Sequence, residues 1–132
     1  MNYDVKILMA FAMTFDENGD EFSQWLLKNG YPELCALSEA VKGSKNAYRW
    51  LIDNKFYHLA AFDSVLDKSK DARLWLIKFN YLSLVHLADA VKQDNKAINW
   101  LNNHGMEVYV FIAQKIKNYL DNRIFDPHKL NF

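Results

Sequence analysis

Residues 75–101 read WLIKFNYLSLVHLADAVKQDNKAINWL, and this stretch decides the fold because it holds one full copy of a repeat and the start of the next. The Trp-Leu pair that opens it returns at a constant step of 25 residues, at Trp25, Trp50, Trp75 and Trp100. A fixed period of this length is typical of helical repeat proteins, in which each copy is a pair of helices. The sequence therefore predicts four copies, at residues 25–49, 50–74, 75–99 and 100–124.

The first helix of each copy carries the Trp-Leu pair. It begins after a residue whose side chain can accept a hydrogen bond from the free amides of the first turn. These residues are Ser44, Ser69 and Asp94. Around the third Trp, the apolar residues that predict a buried face are Ala72, Trp75, Leu76 and Ile77. We therefore expect the four tryptophans in the core between copies, and not in an exposed ladder that stacks bases, sugars or peptides.

The second helix opens with an aromatic residue or Met and has the i, i+3, i+4, i+7 spacing of one buried face. In the third copy this face consists of Leu84, Leu87, Ala88 and Val91. Between the helices, Gly or Asn can adopt the left-handed conformation that ends a helix, as at Gly30 and Asn80. Helices of about ten residues are not stable alone in water, so the copies must stack on one another.

The two ends of the chain are expected to cap this stack. Residues 1–24 form the N-terminal cap, with an unpaired helix at 5–15 whose apolar residues match the second-helix pattern at a 26-residue offset. At the other end, the last helix continues beyond the repeat pattern and ends at Asp126-Pro127. The tail, 125–132, contains Leu130 and Phe132 and is expected to fold back as a lid. Residues 1–132 are expected to form one domain.

The segments LSEAVKGSKNAYRWL (37–51) and LADAVKQDNKAINWL (87–101) resemble the HEAT and leucine-rich-variant classes of α-solenoid repeat. The resemblance covers residues 25 to 120, although the period is shorter than that of HEAT repeats. It implies an all-α, right-handed-type α-solenoid of four helix-turn-helix repeats with N- and C-terminal capping helices. It also implies a role as a protein-binding or scaffold module, without assigning a site to particular residues.

Composition argues against several partners. Sixteen Lys and Arg residues balance sixteen Asp and Glu residues, so nothing in the net charge favours nucleic acid or an anionic membrane. The apolar run at 7–13 lacks a convincing cleavage site, which argues against a signal peptide, and no apolar stretch approaches the ~20 residues of a membrane span. The single cysteine, Cys35, excludes an internal disulfide and favours a cytoplasmic location.

No pattern in the sequence predicts catalysis or metal binding. Segment 16–20 (DENGD) begins like a calcium loop, but the sixth position holds Glu21 and the twelfth Leu27, so we interpret it as a polar turn that caps the next helix. Cys35 lies in a column of apolar residues, a column being one set of equivalent positions in the copies. The histidines lack the spacing of a metal site, and they are His58, His86, His104 and His128. The sequence thus assigns no catalytic, cofactor-binding or metal-ligating residue, and His86 is interpreted as a partly buried structural residue.

Two charged columns are interpreted as solvent-facing. Glu39 and Asp89 share a column with Ser64 and Gln114, which we interpret as a solvated edge. The lysines that recur after the second helix, at Lys42, Lys92 and Lys117, are interrupted by Asp67 and are interpreted as a solvated face or as charges that suit the negative end of a helix.

Repetition without a catalytic group favours a protein that binds another protein, or a second copy of itself, through one helical face. The alternative is a HEAT-like module that binds nucleic acid, which would need Lys and Arg concentrated in one set of columns. An enzyme would need a polar pocket, for which the apolar columns leave little room. A contiguous exposed apolar patch would favour the protein partner.

Overall fold

The computed structural model of the chain describes residues 2–124, and every regular element among them is a helix. The helices are α1 (Val5–Met13), α2 (Gly19–Lys28), α3 (Pro32–Val41), α4 (Lys45–Asp53), α5 (Tyr57–Leu66), α6 (Lys70–Lys78), α7 (Leu82–Val91), α8 (Asn95–Asn103) and α9 (Glu107–Ile124). The prediction of an all-helical chain is confirmed, and the packing is consistent with a helical repeat. The predicted lid at 125–132 lies outside the described residues.

The turns between helices recur at the same 25-residue step as the tryptophans. Each of the seven turns from the end of α2 to the start of α9 contains one residue with positive φ, and these fall at Gly30, Lys55, Asn80 and Gly105 in one series and at Gly43, Lys68 and Gln93 in the other. In the second copy, the Phe56 amide donates to the Leu51 carbonyl at 2.8 Å, and the Lys55 amide donates to the Ile52 carbonyl at 3.1 Å. This pair of bonds is the Schellman closure of a helix, so each Trp-bearing helix ends where the sequence predicts.

Three of the helix starts are capped by the predicted side chains. The hydroxyls of Ser44 and Ser69 each accept a hydrogen bond at 3.1 Å from the amide three residues later. The carboxylate of Asp94 accepts one at 3.0 Å from Lys96. Removal of such a cap typically costs about 1 kcal/mol, which explains why α4, α6 and α8 begin at fixed positions.

We expect Gln93→Gly to raise the free energy of unfolding by about 0.5–1 kcal/mol, because Gln93 holds a φ of 66° that strains any residue with a Cβ. The matched control is Gly43→Ala at the equivalent position, where φ is 108° and the added Cβ meets no atom closer than 3.5 Å. Urea unfolding should show the first variant more stable than the wild type and the second less stable. Equal effects on both would contradict the assignment of strain to the backbone.

The helices form two layers. The odd-numbered helices, called here the inner helices, contact one another in the order α1, α3, α5, α7, α9. The even-numbered helices, called here the outer helices, each contact the inner helix before and the inner helix after them in the chain. Most fully buried side chains belong to the inner helices, whereas each outer helix buries only one or two residues.

Contacts between α9 and α1 close the row of inner helices into a ring. The rings of Phe15 and Tyr119 meet edge to face with centroids 5.9 Å apart, and Lys115 Nζ lies 2.9 Å from Asp16 Oδ2. Lys42 Nζ donates to the Thr14 carbonyl at 2.8 Å and lies 5.7 Å from both aromatic centroids. The N-terminal helix therefore packs on α9, a contact that the sequence does not predict, and Lys42 is part of this contact instead of a solvated face.

The column that we interpreted as a solvated edge forms contacts between outer and inner helices. The Tyr48 hydroxyl on α4 lies 3.1 Å from Ser64 Oγ on α5. At the equivalent positions one copy later, Arg73 on α6 binds Asp89 on α7 through two hydrogen bonds of 2.5 and 2.8 Å. Neighbouring copies therefore use the same pair of columns with different chemistry, and the solvated interpretation is wrong for Asp89 and Ser64.

Candidate functional site

The Trp-Leu pair places its two side chains differently. All four leucines after the tryptophans are 0% exposed, namely Leu26, Leu51, Leu76 and Leu101. The tryptophans are half-buried and pack against the core from its margin. Trp75 stacks on Tyr81, with ring centroids 5.9 Å apart and planes 6° from parallel. The core position that the sequence suggests for Trp is taken by Leu, and Trp50 and Trp75 instead stack on Phe56 and Tyr81, the aromatic residues that open the next helices.

The last tryptophan lies between two histidines. The ring of Trp100 stacks on His86 at 4.0 Å and on His104 at 3.9 Å, both at 20°. His86 is half-buried as predicted, burial lowers its pKa, and its Nδ1 is buried without a hydrogen-bond partner. His86 occupies the column of Ala36 and Ala61, so its ring fills a space that the other copies leave beside their Trp.

A groove of about 650 Å3 runs along the outside of α1 beside α2, and its lining is mainly apolar. We call it the α1 groove. Its residues are Val5, Lys6, Met9, Ala10, Met13, Glu21, Phe22 and Trp25. Val5 is 56% exposed and Met9 is 46% exposed, which is high for aliphatic side chains in a helical pair. Apolar concavities with a few polar groups at the margin are the usual form of a binding site.

Met9 is exposed because of its place in the repeat. At the 26-residue offset of α1, its column contains Cys35, Ala60 and Val85, which are 8%, 1% and 3% exposed. Those residues are covered by the outer helix that precedes them, as the hydrogen bond of 2.9 Å from Cys35 Sγ to the Ser23 carbonyl on α2 shows. Within residues 2–124 no outer helix precedes α1, so the same face of α1 meets solvent.

Opposite charges lie at the two ends of the α1 groove. Lys6 Nζ is 6.0 Å from the centroid of Trp25, so the C-terminal part of α2 lies beside the start of α1. Gly19 lies against the end of α1, where a Cβ would come within 2.1 Å of the Thr14 carbonyl oxygen. The two helices are therefore antiparallel, and Glu21 lies near the Met13 end of the groove, far from Lys6.

A second apolar surface lies on α6 and the turn after it. Leu74, Ile77 and Phe79 are 63%, 45% and 52% exposed, and Lys78 Nζ lies 5.6 Å from the centroid of Phe79. The sequence places Ile77 on the buried face, and this prediction is wrong. The surface of α6 is less enclosed than the α1 groove, since the three side chains stand on the outside of a single helix and its turn.

A cleft of about 600 Å3 between α4 and α5 contains the buried carboxyl group of Asp63. Burial raises its pKa to about 6, and the charge of Asp67 adds to the effect. The equivalent residues in the neighbouring copies are Ser38 and Ala88, both 0% exposed. The position is thus a packing position between inner helices, in which one copy carries an ionisable group.

The residues that were candidates for catalysis or metal binding have structural roles where the structure describes them. The Cys35 thiol is buried, and burial raises its pKa, which disfavours the reactive thiolate. Asp16 pairs with Lys115, and Asn18, at the start of α2, makes no capping bond through its side chain. His128 lies outside the described residues. Among residues 2–124, no group of three His, Cys, Asp or Glu side chains is placed to hold a metal ion.

Several basic side chains are engaged within the protein. Arg73 binds Asp89, Lys117 binds Asp121, and Arg123 Nη1 donates to the Lys42 carbonyl at 3.2 Å. Such pairs leave these side chains less available to phosphate groups. None of the described helices is both long and apolar enough to cross a membrane.

Comparison of the chain with protein-family models, with curated proteins and with solved structures found no match. No residue of the α1 groove is predicted from the sequence to bind a partner, and Trp25 is expected there only as a core residue. Two signals were present, since Met9 is larger than the residues of its column and Phe22 stands where the later copies have Ala47, Ala72 and Ala97.

Proposed function

We propose that this protein is a protein-binding module that holds an apolar segment of a partner protein in the α1 groove. The observation that carries the proposal is the exposure of Val5 and Met9 in a groove whose lining is mainly apolar. Exposed apolar surface that is contiguous and has polar groups at its margin often marks a site for a protein partner. Methionine side chains also suit such a site, because they are flexible and polarizable and adapt to different surfaces.

The proposal includes the finer architecture, a four-copy α-solenoid whose first and last helices meet. The recurrence of left-handed turn residues every 25 residues supports it, as do the equivalent contacts of Tyr48 with Ser64 and Arg73 with Asp89. The nucleic-acid alternative has less support, because basic side chains such as Arg73, Lys115 and Arg123 are engaged internally. The free, buried thiol of Cys35 supports the expected cytoplasmic location.

The test compares Met9→Glu with Ile77→Glu in affinity capture from a lysate of the source cells. Met9 and Ile77 are 46% and 45% exposed, so each change puts a carboxylate on an apolar side chain of similar exposure. We expect wild type and Ile77→Glu to capture the same partner, and Met9→Glu to retain it about tenfold less, since a desolvated charge opposes apolar binding.

Both variants should melt within a few degrees of the wild type, which thermal unfolding followed by circular dichroism checks. Equal capture by wild type and Met9→Glu would contradict the proposal. Loss of the partner in Ile77→Glu alone would assign binding to the surface of α6 instead.

A further inference from the structure

The ring of inner helices has five neighbouring pairs, and four of them are covered by an outer helix. These are α1 and α3 under α2, α3 and α5 under α4, α5 and α7 under α6, and α7 and α9 under α8. The fifth pair, α9 and α1, has no outer helix among residues 2–124. We call this place the open seam.

Both sides of the open seam carry apolar side chains. On α1 they are Val5 and Met9, which occupy the columns that a preceding outer helix covers elsewhere. On α9 the apolar side chain is Phe111. Its equivalent one copy earlier is His86 on α7, which stacks on Trp100 of the following outer helix, α8. Phe111 is half-buried, with Lys115 Nζ 5.4 Å from its centroid. Val5, Met9 and Phe111 thus occupy columns that an outer helix contacts in the other pairs.

We propose that the open seam, whose α1 side is the wall of the α1 groove formed by Val5, Met9 and Met13, receives a short amphipathic α-helix of a partner protein, which lies antiparallel to α1 in the place of a fifth outer helix. This inference rests on the proposed function and specifies the conformation and direction of the bound segment. Four helices of this chain solve the same packing problem with nine or ten residues each, so two to three turns are enough to fill the seam.

The charges at the ends of the groove fit this direction. A helix antiparallel to α1 puts its N-terminus near Met13 and Glu21 and its C-terminus near Val5 and Lys6. The N-terminus of a helix carries a partial positive charge and the C-terminus a partial negative charge. Glu21 and Lys6 therefore each face the opposite charge, whereas in a parallel helix each of these two side chains would face a like charge.

Met13 specifies one position of the bound helix. The residues equivalent to Met13 in two covered pairs are Ser64 and Asp89. They form hydrogen bonds with Tyr48 and Arg73 of the outer helix that precedes them. Met13 offers neither a hydroxyl nor a carboxylate, so the residue that faces it in the partner is apolar. Helix α8 carries Ile98 at the position of Arg73, which makes its sequence the best available probe.

The probe is the acetylated and amidated peptide DNKAINWLNNHG, residues 94–105 of this chain. It is titrated into full-length protein labelled with carbon-13 at the methionine methyl groups. We expect shifts of the Met9 and Met13 resonances and none at Met106, which adjoins α8 and would report displacement of that helix. The Met9→Glu variant should bind about tenfold more weakly, and a peptide with Ile98→Arg about fivefold more weakly.

Two further peptides test whether the bound segment is helical and in which direction it runs along α1. A peptide with Asn99→Pro cannot form a regular helix, so it should bind at least about tenfold more weakly. A spin label at the peptide N-terminus should broaden Met13 more than Met9. Equal binding of the proline peptide, with Met9→Glu still defective, would overturn the helix but leave the proposed function in place. Stronger broadening at Met9 would overturn the direction.

Other results would assign the seam to another occupant or to none. A dimer in light scattering that becomes monomeric in Met9→Glu would assign it to a second copy of the chain. A shift of the Met9 resonance in the Leu130→Asp variant without peptide would assign the seam to the chain's own C-terminal segment. No shift at Met9 or Met13 at millimolar peptide would overturn the inference, while capture that depends on Met9 would still support the proposed function.

Discussion

Leu76→Ala is expected to lower the free energy of unfolding by about 3–4 kcal/mol, because it leaves a cavity where α6 enters the core. Leu76 is 0% exposed and is the single buried residue of that helix. Native domains are stable by about 5–15 kcal/mol, so the loss should appear as a large fall in the urea midpoint with little change in slope.

Its neighbour Ile77 provides the control. Ile77 is 45% exposed, and Ile77→Ala should cost no more than about 0.5 kcal/mol. The loss of unfolding free energy in Trp75→Ala should lie between those of Leu76→Ala and Ile77→Ala, since Trp75 is half-buried and stacks on Tyr81. Similar losses for Leu76→Ala and Ile77→Ala would show that α6 presents a different face to the core.

Asp63→Ser is expected to stabilise the protein above neutral pH by up to about 2–3 kcal/mol, since a pKa difference of one unit corresponds to about 1.4 kcal/mol. Burial raises the pKa of Asp63 from 3.8 to about 6, so the folded protein binds this proton more tightly than the unfolded chain. The stability that the proton supplies is complete below about pH 4 and is lost as the pH rises through 6. Serine is the residue at the equivalent position, Ser38.

Urea unfolding between pH 4 and about pH 8 checks this prediction, because it gives the stability at each pH. In the wild type a fall between pH 4 and 6 should be superimposed on the other titrations, and in Asp63→Ser that component should be missing. Asp53→Ser, at an exposed position on α4, should keep the pH profile of the wild type. If both variants keep that profile, the buried carboxyl is not the group that links stability to pH.

Local structure was the most predictable part of this fold. Ser44 and Ser69 cap helices because a hydroxyl before a first turn satisfies free amides, and that chemistry is visible in the sequence. Ile77 shows the limit of the periodicity. Successive helical residues are about 100° apart, so Trp75, Leu76 and Ile77 cannot all face one core, and the pattern does not tell which of them does.

Contacts between distant copies were not predictable from the columns. The repeat pattern predicts that Lys42 is solvated, yet its ammonium group donates a hydrogen bond to the Thr14 carbonyl and lies over the ring of Tyr119. A repeat pattern describes how each copy packs on the next copy. It gives no information on whether the first helix contacts the last helix. The α1 groove was missed for the same reason, since Met9 reads as a buried position unless the absence of a covering helix is known.

The meeting of α1 with α9 has a consequence for how the chain folds. Open repeat arrays fold and unfold piecewise, because each unit depends only on its neighbours. Here Asp16 and Lys115 are 99 residues apart in sequence and form an ion pair, so the ends must find each other before the last contacts form. Closing so long a loop costs entropy that only the complete ring repays, which should slow folding and make the equilibrium transition all-or-none.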